Sequence, residues 1–368
     1  MADFFLQQVI HDVDHNLDAD IILFILHRGA WFRIDYLAQN LAHSPYLSKQ
    51  HQEFNEILYE DNGDEQYQGV VEHLRRPFED LMTQLAHNPC SESMRPLFSY
   101  LYPPSFILEA TVSDGHIQPN LKGPLSRQQF RRPGQYMGII EQHVPSFASR
   151  VSVYSSRQVQ VLAHTPWMAP TTVCIDNVKY FFKPRIGHGY HELQSYNKIL
   201  MADEESPSLL HSAHICRLHG LVIDSGNDVL QHYHLDSDEE DAYWDDPPDR
   251  FLVGLLLTCI KNEGTMYDLA PRTDCTNEDR GRWLRQIRGS VQSLHAAGVV
   301  WGDAKPSNVL IGEDGNAYLI DFGGSYTQGW VDEDKMETVE GDLQGLERIE
   351  KFLVDCSERP NRRGGVET

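Results

Sequence analysis

Cationic side chains are scarce in this sequence: 31 lysines and arginines stand against 54 aspartates and glutamates, for a formal net charge of −23. Nucleic acids and anionic membrane surfaces bind proteins through clustered cationic side chains. We therefore expect neither nucleic acid nor a membrane to be a main partner. A nucleotide is still compatible with this charge, because it needs only a local cation and a metal ion.

Long apolar runs and paired cysteines are also lacking. No uncharged apolar run approaches the length of about 18 residues that a membrane-spanning helix needs, and the run 251–260 is far too short. The first residues lack the basic start and apolar core of a signal peptide. The 6 cysteines include no Cys-x-x-Cys pair, which favours reduced structural thiols. We expect a cytoplasmic or nuclear protein that is not secreted.

Residues 1–150 carry no motif that indicates chemistry, and we interpret them as a mostly helical region with a hairpin and a linker. Apolar residues recur at helical spacing in three runs: 4–13, 21–26 and 70–85. A hairpin is predicted around Asp114-Gly115, because this dipeptide between apolar runs favours a tight turn. The basic segment 120–134 is predicted to be the linker. This region would serve packing or partner binding.

From about residue 151 the pattern changes to that of β-strands. Three runs rich in β-branched and aromatic residues follow one another: 158–162, 171–175 and 179–183. A predicted helix over 191–200 comes next, which indicates a small antiparallel sheet with one packed helix. Two further strands are predicted over 214–223 and 251–260. The segment 236–249 between them holds eight carboxylates that cannot pack together, so we predict a solvated loop, with a metal site or a basic partner as the alternative.

Lys183 and Glu192 are the first candidate pair of interacting charges. Glu192 shares a helix edge with Tyr196 and Ile199, and a carboxylate on the inward edge of a helix is costly unless a cation meets it. Lys183 alternates onto the same strand face as Phe181 and is the candidate for that cation. The alternative is that both are ordinary surface charges.

The stretch 299–323 concentrates polar residues that suit phosphoryl transfer, and a helix predicted over 279–297 leads into it. Asp303 is followed by Asn308 and then by Asp321. Two apolar runs around an Asp-Gly predict a hairpin between Asn308 and Asp321, which would make these two residues neighbours. Their oxygens suit Mg²⁺. Asp303 would then be placed to accept a proton from a hydroxyl beside that metal.

These motifs and their order resemble the catalytic domain of eukaryotic protein kinases, and parts of the sequence are most similar to uncharacterised kinase-like proteins of filamentous fungi. The resemblance covers about residues 151–355. It implies an α+β, two-lobed protein-kinase-like fold over 151–368, behind the mostly helical N-terminal extension. The antiparallel-sheet lobe would span 151–260 with the acidic insertion 236–249, and a reduced helical lobe would span 261–355.

The resemblance implies roles for the residues of the catalytic stretch. Asp303 would orient and deprotonate the acceptor hydroxyl, and Lys305 would balance charge on the transferring phosphoryl group. Asn308 and Asp321 would hold Mg²⁺. Asp342, on the following helix, would support the catalytic loop.

The resemblance also implies a binding site for ATP. Lys183, held in place by Glu192, would contact the α- and β-phosphates. Leu257 would lie at the back of the adenine pocket. The backbone of Thr258 and Ile260 would hydrogen-bond the adenine edge.

The sequence departs from the family pattern at several places. No Gly-x-Gly-x-x-Gly precedes Lys183, and the proline-bracketed segment 164–170 joins the first two strands instead. Gly302 replaces the usual arginine and cannot bind an activation-loop phosphate. Only about twenty residues separate Asp321 from Asp342. The peptide-binding helical lobe is therefore expected to be missing or minimal.

We predict an ATP- and Mg²⁺-dependent phosphotransferase that moves the γ-phosphoryl group of ATP to a hydroxyl of a protein serine or threonine or of a small molecule. The alternative is a catalytically weak or inactive pseudokinase that acts as a scaffold or binding module. No motif in the sequence identifies the acceptor.

Overall fold

The computed structural model describes residues 4–10, 19–60, 65–86, 95–124, 139–140, 150–163, 171–184, 190–226 and 250–358. The chain divides into two compact units. The first comprises Met1–Gln135, Ser156–Val173 and Ser225–Asp249, and the second comprises Tyr136–Ser155, Cys174–Asp224 and Arg250–Thr368. The predicted boundary at residue 150 does not coincide with this division and stays a prediction.

The elements are numbered in chain order. The strands are β1 Phe4–Ile10, β2 Ile21–His27, β3 Ala30–Tyr36, β4 Arg95–Pro96, β5 Ser105–Ser113, β6 His116–Pro124, β7 Ile139–Ile140, β8 Ser152–Tyr154, β9 Gln160–Ala163, β10 Thr172–Ile175, β11 Val178–Pro184, β12 Leu218–Ser225, β13 Arg250–Thr258, β14 Asn262–Thr265, β15 Val309–Gly312 and β16 Ala317–Leu319. The α-helices are α1 Ala38–Leu41, α2 Pro45–Glu60, α3 Glu65–Arg75, α4 Glu79–Leu85, α5 Phe98–Leu101, α6 Tyr190–Glu205, α7 Met266–Leu269, α8 Asn277–Ala296 and α9 Val339–Glu358. Together they form a mixed α+β fold that is consistent with a kinase-like fold.

The first unit is built on a five-stranded sheet in the order β1-β2-β3-β5-β6. Its strands pair antiparallel except β3 and β5, which are parallel. Helices α1 to α4 lie between β3 and β5 in the chain, as a parallel connection requires. Buried side chains of the sheet, including Leu23 and Phe32, share one core with helical residues such as Leu58 and Leu74.

The prediction of a mostly helical N-terminal region is wrong for its first part, because the runs at 4–10 and 21–26 form β1 and β2. Periodicity alone does not separate a short apolar strand from a buried helix. Arg28-Gly29 closes the β2–β3 hairpin with φ of 48° and 76°, a turn in which arginine is an unusual residue. The helical prediction for 70–85 is confirmed by α3 and α4.

The hairpin predicted around Asp114-Gly115 is confirmed. These two residues have φ of 51° and 75° and connect β5 to β6. The predicted linker begins inside β6, and its remainder lies outside the described residues. The predicted acidic loop 236–249 and the segment 164–170 also lie outside them.

The second unit contains β11 and α6, which correspond to the strand predicted over 179–183 and the helix predicted over 191–200, whereas β9, at the strand predicted over 158–162, belongs to the first unit. Strand β11 pairs antiparallel with β13, and β8 pairs parallel with β12. Helix α6 includes the predicted 191–200, and its Tyr196 shares a core with Leu255 of β13. The two strands predicted over 214–223 and 251–260 are present as β12 and β13, with shifted ends.

The C-terminal part of the second unit positions the stretch 299–323. Helix α8 begins with the capping box that the Thr-x-x-Asp spacing of Thr276 and Asp279 predicts, in which the side chain of each residue accepts a hydrogen bond from the other's backbone N–H. Strands β14, β15 and β16 form a small sheet, and α8 packs against α9 in the same core. Among the described residues, none of the helices combines the length and apolarity needed to cross a bilayer.

Candidate active site

The loop between α8 and β15 forms the centre of the candidate site. Gly298, with φ of 69°, ends α8 in the left-handed conformation that favours glycine. The N–H of Val299 then donates to the carbonyl of Leu294 at 2.9 Å, which turns the chain sharply after the helix. The helix end thus fixes where the loop toward Asp303 begins.

Asp342 of α9 anchors this loop. Its side chain is 1% exposed and accepts hydrogen bonds from the backbone N–H groups of Trp301 at 2.7 Å and Gly302 at 2.8 Å. His295 Nε2 lies 2.8 Å from the same carboxylate. A buried carboxylate is stable only when its oxygens are bonded in this way. The loop and α9 are therefore joined at the residue before Asp303.

Asp303 lies in a cluster of polar side chains. Lys305 Nζ donates to Asp303 Oδ2 at 2.5 Å, and Asn308 Nδ2 donates to the same oxygen at 3.1 Å. The hydroxyl of Thr327 donates to Asp303 Oδ1 at 2.9 Å and accepts from Lys305 Nζ at 2.8 Å. A hydroxyl thus fits between the carboxylate and the ammonium group. Thr327 was not predicted, because no local motif links it to Asp303.

The predicted hairpin between Asn308 and Asp321 is confirmed. Strands β15 and β16 pair antiparallel, with Val309 opposite Leu319. The N–H of Ile320 donates to the carbonyl of Asn308 at 3.0 Å, so Asn308 and the residue before Asp321 are in contact. Asp321 itself has φ of 61°, an uncommon backbone conformation for a residue other than glycine.

Lys183 joins β11 to two other parts of the second unit. Its Nζ lies 2.8 Å from Glu192 Oε1 on α6 and 2.9 Å from Asp321 Oδ1. Glu192 is 2% exposed, so the pair is not one of ordinary surface charges. Burial lowers the pKa of Lys183, but attraction to Glu192 and Asp321 outweighs it and raises that pKa above its ordinary value. Lys183 is therefore protonated at neutral pH.

Aromatic packing holds the backbone on either side of the charged groups. The rings of Tyr196 and Phe322 meet edge to face with centroids 5.5 Å apart. The indole N–H of Trp301 donates to the carbonyl of Ile320 at 2.9 Å. Trp301 and Tyr196 are fully buried. These contacts connect α6, the loop before Asp303 and the segment before Asp321.

The end of β13 differs from what the resemblance implies. Leu257 is buried, as expected for the back of a pocket. The N–H of Ile260, however, donates to the carbonyl of Thr258 at 3.0 Å, and the N–H of Thr258 donates to the carbonyl of Arg217 at 2.9 Å. The backbone N–H groups of both residues expected to bind adenine are thus already bonded within the chain.

Asn308 and Asp321 each have an oxygen atom of the kind that binds a magnesium ion. Within the described ranges no group of three or more His, Cys, Asp or Glu side chains is arranged to hold a metal. The amide nitrogen of Asn308 is directed at Asp303, which leaves its carbonyl oxygen as a ligand. Lys183 bonds one carboxylate oxygen of Asp321 and leaves the other. One amide and one carboxylate oxygen suit Mg²⁺, which completes its shell with phosphate and water.

Comparison with known proteins finds similarity to protein kinases over part of the chain. Residues 241–344 match the family model "Protein kinase domain". The serine/threonine-protein kinase PKH3 of Saccharomyces cerevisiae is 25% identical over 170 residues, which cover 40% of this chain and 17% of that protein. The hormonally up-regulated neu tumor-associated kinase of Mus musculus is 50% identical over 75 residues, 20% of this chain and 10% of that kinase.

A third relative is the calcium/calmodulin-dependent protein kinase kinase cmkC of Emericella nidulans, which is 35% identical over 78 residues. That match covers 21% of this chain and 15% of the relative. The chain thus spans a small part of each of these three proteins. The matched segment and these relatives support a place for the C-terminal part of this chain in the protein-kinase-like superfamily.

Proposed function

We propose that this chain is a protein kinase phosphotransferase that uses ATP and Mg²⁺ and phosphorylates a hydroxyl group, on a protein serine or threonine or on a small molecule. One observation carries the proposal: Lys183 bonds both Glu192 and Asp321. The residue before Asp321 bonds Asn308, which in turn bonds Asp303. In this proposal, residues from distant parts of the sequence take three roles. Lys183 is the cation, Asn308 and Asp321 hold the metal ion, and Asp303 is the base. The names of the relatives favour a protein acceptor.

In this proposal Asp303 is the base. Its Oδ1 already accepts a hydrogen bond from one hydroxyl, that of Thr327, which supports a role in accepting a proton from another. Lys305 lies against the same carboxylate and offers positive charge where phosphoryl oxygens would lie. Asn308 fixes the orientation of the carboxylate through its amide nitrogen.

Lys183, Asn308 and Asp321 form the nucleotide and metal side of the site. Asn308 and Asp321 would hold Mg²⁺, which when bound neutralises charge on the phosphates. Lys183 would contact the α- and β-phosphates, and Glu192 holds its ammonium group in position. Because both partners of Lys183 are carboxylates, the lysine stays positively charged before nucleotide phosphates bind.

A non-catalytic scaffold is the second candidate, and the end of β13 favours it. The N–H of Ile260 is used by Thr258 and is not presented to an adenine ring. The sequence before Lys183 also lacks the glycines that lay backbone N–H groups on phosphate. Both features weaken nucleotide binding relative to the family pattern.

Thermal denaturation with and without MgATP separates the two candidates. A ligand at about 100 times its Kd stabilises the folded state by about 2.7 kcal/mol. We expect the Tm of the wild-type chain to rise with MgATP, and the Tm of Asp321→Asn to respond weakly, because that variant loses the negative charge of a metal ligand. Absence of any MgATP-dependent rise in the wild type would favour the scaffold.

A further inference from the structure

The carboxylate of Glu337 contacts two separate segments around the candidate site. Its Oε1 accepts a hydrogen bond from the backbone N–H of Ser325 at 3.0 Å. Its Oε2 lies 3.5 Å from Nδ1 of His191, an ion pair when the ring is protonated. His191 directly precedes Glu192 on α6, and Ser325 follows Asp321 by four residues. One side chain therefore connects the helix of Glu192 to the segment after Asp321.

The backbone that Glu337 contacts is strained at Ser325. Gly324 has φ of 75° and Ser325 has φ of 100°, a region that residues with a side chain rarely adopt. A Cβ at Gly324 would lie 2.5 Å from Glu337 Oε1, so the carboxylate rests directly on this turn. Backbone in such a conformation persists only where its surroundings hold it. The bond from Ser325 N–H to Glu337 is one such restraint.

Gly302 makes this close approach possible. It has φ of 91°, and a Cβ there would lie 2.9 Å from the Cα of Gly324. No side chain fits at Gly302, so the arginine of the family pattern is excluded by the backbone of Gly324. The carboxylate of Glu337 thus lies beside the turn, where the departure at Gly302 has removed the means of holding a phosphate.

We propose that Glu337 is a positioning residue whose carboxylate holds the segment after Asp321 against helix α6. Its hydrogen bond from Ser325 and its 3.5 Å contact with His191 are the two ends of this connection, which we call the Glu337 bridge. The bridge favours the arrangement in which Lys183 bonds both Glu192 and Asp321, and it requires no phosphorylated residue. Its effect on the reaction rate rests on the proposed function, whereas its effect on the backbone does not.

The first test compares Glu337→Gln with Glu333→Gln, which removes the same charge from an exposed residue nearby. Loss of a charge-assisted contact should lower kcat for phosphoryl transfer about tenfold and raise the Mg²⁺ concentration needed for half-maximal rate. Hydrogen exchange of the Ser325 amide in the nucleotide-free protein should become faster. Glu333→Gln should match the wild type in all three measurements.

The second test distinguishes charge from packing. Formate should partly restore the rate of Glu337→Ala, because a small anion can occupy the vacated space, whereas a lost packing contact would not respond to it. His191→Gln should slow the reaction, and combining it with Glu337→Gln should add little further loss.

Two outcomes overturn the proposal: Ser325 exchange in Glu337→Gln that equals that of Glu333→Gln, or Glu337→Ala with unchanged rate and exchange. A wild-type chain without MgATP binding or phosphoryl transfer would refute the proposed function alone. The exchange comparison would then still decide whether the Glu337 bridge exists.

Discussion

Replacing Asp342 with alanine should destabilise the second unit and slow phosphoryl transfer. The carboxylate is 1% exposed and accepts from two backbone donors, Trp301 N–H and Gly302 N–H. Alanine would leave both donors buried without an acceptor, at a cost of about 1–3 kcal/mol each. The free energy of unfolding should therefore fall by about 2–6 kcal/mol. Asp303 directly follows Gly302, so its position should also be lost.

Urea unfolding followed by tryptophan fluorescence measures this change, because Trp301 is fully buried and adjoins the altered group. The control is Asp355→Ala, which removes an exposed carboxylate from the same helix α9. We expect the control to change the unfolding free energy by less than about 0.5 kcal/mol. An Asp342→Ala variant as stable and as active as the control would refute the anchoring role of Asp342.

Three further predictions follow from other parts of the structure. Lys183→Met should abolish the MgATP-dependent rise in Tm, whereas Lys179→Met, which removes an exposed lysine from the same strand β11, should retain it. Burial raises the pKa of Asp35 in the folded protein, and Arg33 offsets part of this effect. At pH values above the pKa of Asp35 in the unfolded chain, ionisation of this carboxyl therefore lowers the free energy of unfolding. Asp35→Asn should therefore raise Tm at pH 7 and leave it unchanged at pH 3, where the carboxyl is protonated in both states; an equal shift at both pH values would contradict this. Because the N–H groups of Thr258 and Ile260 are both already bonded, we expect the backbone to select adenine by no more than about one hydrogen bond, worth about 0.5–1.5 kcal/mol. Calorimetry should give Kd values for MgATP and MgGTP that differ by less than about tenfold. A preference for MgATP above about a hundredfold would contradict the bond between the Ile260 N–H and the carbonyl of Thr258.

Local sequence signals predicted the fold where they act over a few residues. The capping box at Thr276 and the Asp-Gly turns at 114–115 and 314–315 depend on neighbouring residues, and the structure contains all three. The apolar runs that form β1 and β2 gave the wrong element, because a short buried strand and a buried helix have similar composition. Their assignment depends on pairing between strands, which spacing does not report.

The residues of the candidate site likewise fall into two groups: some are brought together by short-range sequence features, and others by contacts that form only in the folded chain. The spacing of Asp303, Asn308 and Asp321 spans one hairpin, so the sequence could place these residues together. Thr327 and Glu337 act through contacts formed only in the folded chain, and nothing in their own sequence surroundings distinguishes them. The bonding of the backbone at the end of β13 is likewise a tertiary property.

Transfer of radiolabelled γ-phosphate from ATP, compared between the wild type and Asp303→Asn, tests the central claim most directly. Both proteins should show the same MgATP-dependent rise in Tm, because Asp303 is not assigned to nucleotide binding. The wild type should transfer phosphate to an added hydroxyl acceptor or to itself. Loss of the base should reduce the rate by about 100-fold or more. Equal transfer by the two proteins, or none by a wild type that binds MgATP, would contradict the assignment of Asp303 as the catalytic base.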